Sequence, residues 1–97
     1  MRLTDQEQQS IIDSIVQFDR NAEIYLFGSR LDDSARGGDI DILIKSDVIH
    51  RDMTFLLEEE LFKHIEEQKV DFVITGSDVK APFVKMILAR GAIRLWH

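Results

Sequence analysis

Gly28-Ser29-Arg30 is followed nine residues later by Asp39-Ile40-Asp41, which sets a turn able to hold phosphate beside two carboxylates able to hold a divalent cation. Nucleotide transfer needs little more than that. Glycine lets backbone approach a ligand closely, and serine either caps a helix or bonds a phosphate oxygen. Along Asp39-Ile40-Asp41-Ile42-Leu43-Ile44 the strand period of two puts both acids on one face and Ile40 and Ile42 on the other, with the acids about 6 to 7 Å apart. Aspartate is a poor strand former, and like charges at that spacing repel. A cation removes the repulsion, and an all-oxygen set of this kind suits Mg²⁺, or Mn²⁺ in its place, shared with substrate phosphates. Val70-Asp71-Phe72-Val73-Ile74 is a further apolar strand interrupted by one aspartate. Pairing beside the Asp39–Asp41 strand would bring Asp71 into a three-carboxylate cluster.

The elements that must position these residues alternate. Ile11, Ile12, Ile15, Val16 and Phe18 recur at mainly helical spacing, and Thr4 with Glu7 forms a capping box, so a first helix is predicted over 4–19. A strand follows at about 23–27, then the Gly-Ser turn, a loop ending in Gly37-Gly38, and a strand at about 39–45. A second helix is predicted from Arg51 to Glu67, with Phe55, Leu56, Leu57, Leu61, Phe62 and Ile65 as its apolar face. A third strand is expected at 69–75, a helix opened by Pro82 and stopped by Gly91, and a short last strand at 92–96. Strands separated by helices point to an α/β or α+β sandwich.

The stretch from Leu26-Phe27-Gly28-Ser29-Arg30 through Asp39-Ile40-Asp41-Ile42-Leu43-Ile44 resembles the signature of the DNA polymerase beta nucleotidyltransferase superfamily, and more narrowly its minimal bacterial and archaeal members. That pattern is a hydrophobic residue, Gly-Ser, a spacer, Asp-hydrophobic-Asp-hydrophobic and a further acid on a later strand. The nine-residue spacer between Ser29 and Asp39 is one shorter than in many minimal members, which would reshape the loop from Leu31 to Gly38. The resemblance implies the nucleotidyltransferase fold, a mixed β-sheet flanked by helices. It also implies Asp39, Asp41 and Asp71 as catalytic and metal-binding residues, with Gly28, Ser29 and Arg30 binding the nucleotide.

Ninety-seven residues bound the chain to one domain with a modest core. An apolar content of 44% with 31% charged residues is ordinary for a globular protein. No apolar run approaches the roughly 20 residues of a membrane helix, the start carries no signal-peptide core, and cysteine is absent, so a cytoplasmic location is expected. The net charge is −6, which argues against broad nucleic-acid binding. It is unevenly placed: Lys80, Lys85, Arg90 and Arg94 stand without an acid over 80–97, leaving −10 on the first 79 residues.

Single features have plainer readings. Arg30 is as well suited to a surface salt bridge with Asp32 or Asp33 as to phosphate, and Arg36 has the same ambiguity. His50, His64 and His97 are too scattered for a metal site. Glu58-Glu59-Glu60 with Glu66-Glu67 reads as a solvated helix face. Trp96 reads as a packing residue, with a contact to another chain as the alternative.

The chemistry implied is attack of a hydroxyl on the α-phosphate of ATP or another nucleoside triphosphate, with pyrophosphate leaving. The absence of a Gly-x-x-x-x-Gly-Lys-Ser/Thr loop disfavours a P-loop ATPase. No segment after the third strand is suited to hold an acceptor, so a partner is expected to supply it. Minimal members of this superfamily are often paired with small helical proteins of the HEPN class, in several cases as toxin and antitoxin. The resemblance therefore implies an antitoxin that transfers AMP to its partner, binds it, or both. The rival expectation is a non-catalytic nucleotide- or partner-binding module, and self-association fits either.

Overall fold

The capping box at Thr4 opens helix α1 (Asp5–Val16) in the computed structural model, which describes residues 1–34 and 37–97. Glu7 N donates to Thr4 Oγ1 at 3.0 Å and Thr4 N to Glu7 Oε1 at 3.0 Å, so two amide donors of the first turn are satisfied reciprocally. Ile11, Ile12 and Ile15 are buried, each contributing ~1.5–3 kcal/mol by leaving water. Strands β1 (Glu23–Phe27), β2 (Ile40–Lys45), β3 (Val70–Thr75) and β4 (Ile93–Trp96) form one sheet in the order β3-β2-β1-β4. β1 runs antiparallel to β2 and to β4, whereas β2 and β3 are parallel. The parallel pair needs a crossover, and helix α2 (Thr54–Leu61), entered through a 3₁₀ turn at Arg51–Met53, supplies it. Helix α3 (Pro82–Arg90) then joins β3 to β4. This is the mixed, helix-flanked sheet of the nucleotidyltransferase fold.

The strand period of two sorts the sheet's faces. Ile24 and Leu26 of β1 and Ile40, Ile42 and Ile44 of β2 pack with α1 and with Leu57 and Leu61 of α2 into the main core. The other face carries Leu43, which packs with Val84 and Ile87 of α3 and with Tyr25, Phe27 and Val73. Asp41 and Asp71 fall on that second face, beyond the part that α3 covers.

Boundaries match to within a residue for the strands and differ at α1, which ends at Val16 rather than Asp19 as Phe18 N and Asp19 N close turns onto Ile15 O, and at α2. The predicted helix to Glu67 ends at Leu61. Lys63 N, His64 N and Ile65 N close turns onto Glu60 O and Leu61 O, and Phe62 and Ile65 reach the core from there. Phe55 and Leu56, expected on the apolar face, are exposed, Phe55 at 70%. Trp96 follows its packing reading: it is half-buried against the main core and donates Nε1 to Arg20 O at 3.2 Å. Among the described residues no helix is long and apolar enough to cross a membrane.

Candidate active site

β1 ends at Phe27 and the chain enters a single 3₁₀ turn, Gly28–Leu31. Gly28 has φ +79°, and a Cβ placed on it would run into Asp41 Oδ2 and sit 3.2 Å from Asp41 Cγ. Only glycine accepts both the left-handed backbone and that proximity, so the turn lies directly against the Asp41 carboxylate. Gly38, at φ +88°, repeats the arrangement one step along: its Cβ would meet Ser29 Oγ. The Gly-Ser turn is thus folded down onto the start of β2, as a phosphate cradle beside an acid requires.

Parallel pairing sets Asp41 directly opposite Asp71, on strands that neighbour at about 4.8 Å. Asp39 stands one residue before β2, at the same end of the sheet, and its Oδ2 is 3.4 Å from Lys69 Nζ. Burial pushes the Asp41 carboxyl above the usual aspartate range, and the charges of Asp71 and then Asp39 push it further, with Lys69 opposing. Asp41 therefore feels both of the other acids. Among the described residues, however, no three acidic, imidazole or thiol side chains are placed to hold a metal ion by themselves, so the three-carboxylate cluster expected from the sequence is not formed. A divalent cation fits this donor set: the ligands are oxygen, the carboxylates repel in its absence, and an open arrangement leaves positions for water and phosphate oxygens. Asp41 and Asp39 would hold it, Asp39 by releasing Lys69, with Asp71 opposite Asp41 on β3.

A family model described as "Polymerase beta, Nucleotidyltransferase" matches residues 9–93, a span that contains the turn, all three acids and strands β1, β2 and β3. The chain belongs to that family. No curated protein matches it. The nucleotidyltransferase assignment carries with it the general chemistry of the family, transfer of a nucleoside monophosphate from a nucleoside triphosphate with divalent metal.

Arg30, one of the nucleotide-binding candidates of this nucleotidyltransferase, is turned to the backbone: Nη1 donates to Arg2 O at 2.8 Å and Nε to Gly38 O at 3.2 Å. Arg36 lies outside the described residues. Two residues that the motif does not contain also take part. The Arg2 guanidinium donates to Asp32 O at 2.7 Å, Gly37 O at 2.7 Å and Ser29 O at 2.9 Å, and Arg2 N to Arg30 O at 2.7 Å. Three donors of its rigid fork fasten both ends of the loop between the Gly-Ser turn and β2. Lys69 is the second, a cation set among the acids by its place just before β3. The separation of Arg2 from the loop by some thirty positions in the chain leaves no local pattern to find. Lys69, two residues ahead of Asp71, was within reach once the β2–β3 pairing was drawn.

Proposed function

We propose that this protein is a divalent-cation-dependent nucleotidyltransferase that moves a nucleoside monophosphate, AMP from ATP, to a hydroxyl on a small helical partner of the HEPN class, as the antitoxin half of a pair. The observation that carries the catalytic part is the register of Asp41 with Asp71, beside a glycine turn that touches Asp41. Ser29 and the backbone of the turn bind the phosphates. Asp41 and Asp39 would hold Mg²⁺, a cation suited to an open oxygen set that shares substrate phosphates, and its charge would offset that growing on the triphosphate. Asp71 orients the acceptor hydroxyl and takes its proton as the oxygen bonds to the α-phosphorus and pyrophosphate leaves. In support of a partner, Phe55 and Leu56 on α2 are exposed, apolar surface that association would cover.

A second reading, a binding module that keeps the fold without the chemistry, is favoured by one observation, the Lys69 ammonium already on Asp39. Incubating the protein with labelled ATP, Mg²⁺ and the product of the neighbouring gene separates the two. Label on the partner's hydroxyl, lost with Asp71→Asn, is the expected result. A stable complex that never acquires label would leave the binding module in its place.

A further inference from the structure

A cavity of about 290 Å³ opens between the catalytic turn and α3, walled by Phe27, Gly28 and Leu31 on one side and by Phe83, Met86, Ile87 and Arg90 on the other. From this geometry we infer that the cavity is the subsite for the base of the nucleoside triphosphate, an inference that rests on the nucleotidyltransferase reading above. Gly28 joins the cavity to the acids. It lines the cavity and at the same time abuts the Asp41 carboxylate, so a group seated here belongs to a molecule whose other end reaches the acids.

The lining suits a flat heterocycle. Two phenyl rings offer stacking faces, Met86 offers a polarisable thioether that adapts to a ring edge, and Arg90 brings a planar cation able to stack or to donate to ring nitrogen and carbonyl acceptors. Phe83 and Met86 are 53% and 41% exposed, an apolar lining with room for a ring to close over it. Arg90, in the last turn of α3, adds a positive charge at the cavity for a triphosphate on an otherwise acidic molecule.

The order of the strands decides between base and acceptor. Reading β3-β2-β1 across the sheet, Asp71 lies on one side of Asp41 and the Gly28 turn on the other. The acceptor hydroxyl enters on the Asp71 side, so a cavity on the β1 side belongs to the nucleotide.

Calorimetric titration of the full chain, with Mg²⁺ present, tests this by comparing the tightest-binding of ATP, GTP, CTP and UTP with inorganic tripolyphosphate. Phe83→Ala and Arg90→Ala change exposed side chains and leave the core intact. Each is expected to weaken the nucleoside triphosphate about tenfold, the scale of one base stacked on one side chain, with tripolyphosphate unaffected. Unchanged nucleotide affinity in both variants, whether or not transfer falls, would overturn the subsite and give the cavity to the acceptor. Equal weakening of both ligands would also overturn it, by showing that the variants disturb the phosphate turn. A wild-type chain that binds neither ligand would instead sink the nucleotidyltransferase reading beneath it.

Discussion

Asp41→Asn is expected to lower nucleotide transfer by roughly 10²- to 10³-fold or more, the scale on which single electrostatic contacts to a transition state act, while making the metal-free chain more stable at neutral pH. The two effects have one cause. Burial and the neighbouring Asp71 and Asp39 raise the Asp41 carboxyl above its usual range in the folded chain. The folded state therefore binds a proton more tightly than the unfolded one, and stability falls as pH rises from the ordinary aspartate range through the raised value. Above both values the cost is complete. Asparagine cannot ionise, so the variant escapes that cost. Its melting temperature in chelator should exceed that of the wild type at pH 7, and the gap should close below the ordinary aspartate range, where both side chains are neutral. A variant that melts lower at pH 7 would show that Asp41 holds the fold together and would remove the argument for a site built at the expense of stability.

Gly28→Ala is the second large effect. An alanine there meets two obstacles, a left-handed backbone at φ +79° and a Cβ driven into Asp41 Oδ2. The strain alone is of order 1–3 kcal/mol, and relief of the collision must move the carboxylate that the chemistry depends on. Transfer should fall to background even where the fold survives. Gly37→Ala is the control, since Gly37 also has positive φ, +63°, but a Cβ there meets nothing within 4 Å. It should lose a similar amount of stability and keep its activity. Circular dichroism melts alongside the transfer assay separate the two variants. Equal activity in both would mean that the closeness of the turn to Asp41 has no catalytic consequence.

Much of this site was legible in the chain because strand period and turn chemistry are local. Ile40, Ile42 and Ile44 had to share a face, and that alone turned Asp41 the other way. The capping box, the Pro82 start and the Gly91 stop likewise depend on neighbours a few residues apart. What the chain does not display is the meeting of distant parts. The register of Asp41 with Asp71 arises only when α2 carries the chain across to a parallel neighbour, and nothing between Ser46 and Lys69 specifies that register by itself. The early end of α2 has a related origin. Phe62 and Ile65 are apolar at helical spacing, yet they reach the core from turns, so the pattern read as helix continues where the helix does not. Arg30 shows a third kind of ambiguity. A guanidinium serves phosphate or carbonyl oxygens equally well, and only the folded loop, held by Arg2 from far away in sequence, shows it bonded to Arg2 O and Gly38 O.

Coupling of a divalent cation to a nucleoside triphosphate by Asp39 and Asp41 can be read by melting the protein with ATP in the presence of Mg²⁺ or of chelator, for the wild type and for Asp39→Asn with Asp41→Asn. A ligand that binds only the folded chain stabilises it by mass action, about 2.7 kcal/mol at a hundred times its dissociation constant. The expected result is an ATP-dependent rise in melting temperature that requires Mg²⁺ in the wild type and is absent from the double variant in either condition. The same Mg²⁺-dependent rise in the double variant would mean that these two aspartates do not hold the cation.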